Sequence, residues 1–145
     1  MTTFLRFFTT ITLLLLIAPL AFGQVAEKTL VKSFAVDKNQ TVAIEVPGPV
    51  EVKTWSNTTI RVQMTITLQN GKEAILKSLI SAGRYNLVAK EKDGVIIIHA
   101  PALEKEVQIG GEPLKDAISI IVFAPESITV KNAVNSNNTT VGSSF

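Results

Sequence analysis

Apolar and polar residues alternate with period two along much of this chain, and the cleanest case is residues 58–68. There Ile60, Val62, Met64, Ile66 and Leu68 alternate with Thr59, Arg61, Gln63, Thr65 and Thr67, the pattern of a strand buried on one face. Val42, Ile44 and Val46 alternate with Ala43 and Glu45. Pro47-Gly48-Pro49 then breaks the chain, and Val50 and Val52 resume opposite Glu51 and Lys53, so two short strands flank a rigid turn. Upstream, residues 30–36 form another predicted strand with Phe34 and Val36 facing inward. Residues 95–98 and 118–123 are nearly continuous in apolar side chains, which predicts strands covered on both faces. Asp93-Gly94 predicts a hairpin between residues 84–91 and 95–100. Weaker strands are predicted over 106–109, closed by the turn Gly110-Gly111, and over 128–130.

One segment has helical rather than strand spacing. Ile75, Leu76, Leu79 and Ile80 fall on one helix face, so residues 71–82 predict a short amphipathic helix packed on apolar surface. Asn70 followed by Glu73 has the spacing of a capping box, and Gly83 suits the left-handed residue that ends a helix. The expected fold is therefore mainly β with one short amphipathic helix, running from about Gly71 to Ala82. From Asn132 onward Asn, Ser, Thr and Gly dominate. The expected organisation is a single β-rich domain over 24–131 and a flexible polar tail over 132–145.

The longest aliphatic run does not belong to that domain. Arg6, the apolar stretch from Ile11 to Ile17 and the small residues of Ala21-Phe22-Gly23 have the order of a secretory signal peptide, cleaved between Gly23 and Gln24. A membrane-spanning helix needs about 20 apolar residues, whereas Thr9, Thr10, Thr12 and Pro19 interrupt this run. No stable membrane span is expected after cleavage. The chain has no cysteine, which excludes both a lipid-modified N-terminus and a disulfide scaffold, so stability must come from an ordinary apolar core. Export without disulfides points to a bacterial source. Of 14 basic residues only Arg6 precedes Gln24, leaving 14 − 1 = 13 against 12 acidic residues, a net charge of +1. Near-neutrality gives no reason to expect nucleic acid as a partner.

Candidate chemistry is sparse. His99 is the only histidine, which excludes a two-histidine metal site, and its strand spacing with Val95 and Ile97 makes it a face residue. No Gly-x-Ser-x-Gly elbow is present. Glu45 with Glu51, or Glu104 with Glu106, are the acidic pairs nearest to glycosidase chemistry, but each alternates with apolar residues as solvated strand faces do. Gly110-Gly111 lacks the strand, spacing and helix of a phosphate loop. No catalytic, metal or cofactor residues are therefore assigned. Trp55, Arg61, Arg84 and Tyr85 most resemble a recognition surface, because aromatic and arginine side chains dominate binding hot spots. Asn39, Asn57 and Asn138 each open an Asn-x-Thr acceptor triplet, relevant only in a eukaryotic secretory route. The terminal Phe145 lacks the alternating strand that precedes it in outer-membrane barrels.

The stretch Gly48-Pro49-Val50-Glu51-Val52-Lys53-Thr54-Trp55-Ser56-Asn57, followed by Ile60-Arg61-Val62, resembles the bacterial secreted adhesin-like family of β-strand-repeat proteins, whose function is unknown. The match is clearest over residues 42–68. The resemblance implies a β-helix-like or stacked-strand architecture outside the inner membrane, and carries no catalytic residues. The helix and the short length depart from that family's pattern and leave a compact β-sandwich with one packed helix as the alternative. The expectation is a secreted, non-enzymatic protein, periplasmic or at the cell surface, that touches an envelope or extracellular partner through its strand faces. Two alternatives stand beside it. One is a small secreted carbohydrate-binding protein or glycosidase-like enzyme using carboxylates near Trp55. The other is an envelope component that self-associates through strand edges.

Overall fold

The computed structural model describes residues 25–134. The expected signal peptide, its cleavage point at Gly23 and Gln24, and residues 135–145 of the expected tail lie outside the described residues. The elements are β1 (Ala26–Ala35), β2 (Thr41–Glu45), β3 (Val50–Thr54), β4 (Thr59–Leu68), α1 (Glu73–Ser81), β5 (Val88–Lys92), β6 (Val95–His99), a 3-10 turn (Pro101–Glu104), β7 (Gln108–Ile109), β8 (Glu112–Pro113), β9 (Asp116–Ala124) and β10 (Thr129–Asn132). Over the described residues the fold is mainly β with a single short helix, as the hydrophobic pattern predicts.

Eight strands form two open four-stranded sheets. The first has the order β1-β4-β9-β3 and the second β10-β2-β6-β5, while β7 and β8 make a separate small hairpin. In the first sheet β4 pairs antiparallel with β1 and β9, and β3 runs parallel to β9. In the second, β2 runs parallel to both β10 and β6, and β5 closes the edge antiparallel to β6. Inward residues of both sheets join one core: Val42 and Ile44 from β2, Ile98 from β6, alternate residues of β4 from Ile60 to Leu68, and Ile118, Ile120 and Val122 from β9. Both sheets contribute to this one core, and each contains parallel neighbours, β3 with β9 in the first and β2 with β10 and β6 in the second.

The chain crosses between the two sheets five times, and two of the crossings are four-residue corners. At the first, Gly48 has φ of +114°, and a Cβ there would lie 2.0 Å from the Ile118 carbonyl oxygen, so only glycine allows β3 to approach β9. Pro49 then accepts a hydrogen bond from Ile120 N–H at 2.9 Å, which starts the β3–β9 ladder. The second corner, residues 125–128, returns the chain from β9 to β10.

Helix α1 lies against β1, with Leu76 buried and Ile75, Leu79 and Ile80 packed on the core. Its start differs from the expected capping box. Lys72 occupies the N-cap without a side-chain cap, because the Asn70 amide is used elsewhere. Asn70 Nδ2 donates to Pro113 O at 3.0 Å and Oδ1 accepts from Lys115 N at 2.9 Å. A side-chain amide carries both donor and acceptor, so it extends the β4–β9 ladder beyond Leu68, which a cap could not do. Glu73 instead pairs with Lys77 at 2.8 Å. The helix ends as expected: Gly83 N–H reaches Ile80 O and Arg84 N–H reaches Leu79 O, with Gly83 at φ of +80°, a Schellman closure.

The strand expected over 84–91 begins only at Val88, since the chain remains in turns through Asn86, whose N–H bonds Gly83 O. Asp93 and Gly94, both at positive φ, make the anticipated hairpin. Double-sided burial of the aliphatic runs is incomplete. Ile98, Ile118, Ile120 and Val122 are buried, whereas Val95, Ile97, Ile121 and Phe123 are half-buried, because among the described residues no third layer covers the outer faces. Nor, among those residues, is any helix long and apolar enough to cross a membrane.

Candidate functional site

The four residues singled out for recognition fall into two groups near opposite ends of β9. Trp55 follows β3 and continues its ladder, its N–H bonding Ala124 O at 3.0 Å. Its indole Nε1 donates to Thr59 O at 2.9 Å, and its ring lies 5.7 Å from that of Phe123 at a 40° tilt. Arg61 stands opposite Phe123 across β4 and β9, with its guanidinium 5.8 Å above the Phe123 ring. Trp55 and Arg61 thus meet through Phe123, on the outer side of the first sheet. Sequence reasoning missed Phe123. In a nearly unbroken apolar run nothing announces which residues face outward, although strict alternation from Ile118 places Phe123 opposite Ile120 and Val122.

Arg84 and Tyr85 belong to the interior, not to a surface. They are 9% and 2% exposed, and both converge on Asp116, the first residue of β9. Arg84 Nε donates to Asp116 Oδ2 at 3.2 Å and Tyr85 O–H donates to the same oxygen at 2.9 Å. Arg84 Nη1 also donates to Lys105 O at 2.8 Å and to Ala102 O at 3.4 Å. One guanidinium therefore ties the end of α1 to the 3-10 turn and to β9. Burial, aided by the hydrogen bond to the Asp116 carboxylate, pushes the Tyr85 phenol up to about 12. The Schellman closure turns the chain inward after Gly83, which the assumption of a strand over 84–91 hid.

The carboxylates do not form the pairs considered from sequence. Glu45 ends β2 in the second sheet, level with His99, whereas Glu51 lies on β3 in the first sheet, 3.3 Å from Lys53 Nζ. Glu104 and Glu106 are exposed around the 3-10 turn. His99 sits between Glu45 and Val88 in register, and its buried Nδ1 has no hydrogen-bond partner among the described residues. Among those residues no group of three or more His, Cys, Asp or Glu is placed to hold a metal.

Beside Trp55 the loops after β3 and β9 leave an open groove of about 660 Å³, lined by Trp55, Ser56, Asn57, Pro125, Glu126 and Ser127 among others. A smaller depression of about 270 Å³ continues it through the shared Asn57, Pro125 and Ser127 towards Asp37 and Lys38. Glu126 is the one carboxylate among the residues lining the larger groove. Neither a scan against protein-family models nor a search of curated proteins finds a match for this chain.

Proposed function

We propose that the chain is an exported, non-enzymatic contact domain, adhesin-like in role, that acts in the periplasm or at the surface of a bacterial cell. The observation that carries this reading is the gathering of Trp55, Phe123 and Arg61 on the outer side of the first sheet, next to an open groove. Aromatic and arginine side chains held in fixed positions contribute most to contact surfaces. The acidic pair Glu45 and Glu51 supports the same reading, since the two lie in different sheets and Glu51 is paired with Lys53. The leader pattern of residues 1–23 supplies the compartment.

Two measurements test it together. The mass of the mature protein should place its N-terminus at Gln24, and washed cell envelopes should retain the protein against mild salt. A product that still carries residues 1–23, or one that does not sediment with envelopes, would overturn the reading.

A further inference from the structure

We infer that the groove beside Trp55 binds an uncharged oligosaccharide. This inference rests on the contact reading and names the chemistry of the surface touched. A sugar ring presents a C–H face and a rim of hydroxyls, and the groove offers a complement to each. Trp55 and Pro125 supply apolar surface, while Ser56, Asn57, Ser127 and Glu126 supply hydroxyl, amide and carboxylate groups. At about 660 Å³ the groove falls in the range of small-ligand sites, about 300–1,000 Å³.

Three further features select this class of ligand. First, Trp55 is held before any ligand arrives, by its N–H to Ala124 O, its Nε1 to Thr59 O and its ring against Phe123, so little ordering is lost on binding. Second, the charged residues lining the two depressions are Glu126, Asp37 and Lys38, a sum of −1 − 1 + 1 = −1, which disfavours uronates and phosphorylated glycans. Third, the groove is walled by loops at strand ends, and the Trp55 N–H is already committed to Ala124 O. A peptide adding itself as a strand would pair along the free outer edge of β3, not with the loop residues that wall the groove.

Trp55 is the only tryptophan in the chain, so its emission reports directly on the groove. Cellohexaose and the N-acetylglucosamine hexamer, titrated into the exported protein, should shift that emission to shorter wavelength and saturate. Hexagalacturonate should not. Calorimetric affinity should fall at least tenfold in Trp55→Ala, and severalfold in Asn57→Ala and Glu126→Gln, while Trp55→Phe retains most of it and guards against a folding defect. The inference is overturned if neither neutral sugar binds at millimolar concentration, if only the uronate or an extended peptide binds, or if Trp55→Ala binds like the parent. Failure of both neutral sugars to bind, with the parent protein still retained on envelopes, would leave the contact reading standing and remove the sugar groove. Loss of retention in the parent protein, with sugar binding intact, would do the reverse.

Discussion

Tyr85 is the only tyrosine in the chain, and its burial makes it a reporter of the folded state. Its phenol ionises at about 12 rather than the ordinary 10, so absorbance at 295 nm should titrate near 12 in the native protein and near 10 in denaturant. A raised pKa in the fold means that stability is complete below about pH 10 and declines as pH rises towards 12. The decline should reach about 3 kcal/mol, two pH units at about 1.4 kcal/mol each, and denaturant titrations across that range measure it. Asp116→Asn should move the absorbance midpoint down but not back to 10, because burial, the largest single cause of the shift, remains. The same change should cost about 3 kcal/mol, since it leaves the nearly buried Arg84 charge without its counterion. Arginine and tyrosine side by side gave no hint of this role. Their partner Asp116 lies 31 residues beyond Tyr85, and only the fold brings the three together.

At the scale of elements, turn residues carry more than their number suggests. Gly48→Ala would force a side chain both into positive φ and onto the Ile118 carbonyl. It should cost about 3 kcal/mol or more, read as a lower denaturant midpoint with unchanged slope. Gly83→Ala keeps the same closure at a strained φ without meeting backbone, so its cost should be nearer 1 kcal/mol. Asn70→Ala tests where that amide acts. If it holds the β4–β9 ladder, amide exchange should quicken at Lys115, and the helix content of α1 should not change. Strand periods, the Pro47-Gly48-Pro49 break, the Asp93-Gly94 hairpin and the face of α1 are all local patterns, so they could be read directly. The use made of Asn70 could not, because its partners Pro113 and Lys115 lie more than forty positions away.

For the whole molecule the open question of association turns on the sheet edges. Strand β1 is ten residues long and forms an edge of the first sheet, the kind of edge that recruits other chains. Lys28 and Lys32 stand in register with Ile66 and Val62, on the core-facing side. Lys32 Nζ reaches Leu87 O at 2.6 Å, tying this edge to the segment that enters β5 of the second sheet. Charges on the inward face of an edge strand oppose pairing with another sheet, since a neighbour would have to bury them. The protein should therefore scatter light as a monomer over a wide concentration range, whereas Lys28→Val with Lys32→Val should associate as concentration rises.

Periodicity and turn chemistry alone determined that this chain is mainly β, that one amphipathic helix interrupts the strands, and that a corner falls at Pro47-Gly48-Pro49, because hydrophobic spacing and backbone freedom act over a few residues. They also singled out Trp55 and Arg61. Tertiary structure decided what each side chain is for. Sheet order and register brought Phe123 between Trp55 and Arg61, and set loop residues 125–127 beside the loop of Trp55 to make a groove. The same long-range pairing drew Arg84 and Tyr85 inward onto Asp116. A strand pattern specifies two faces, but which face meets the core, and which distant residue stands opposite, is settled only when strands far apart in the chain pair and pack.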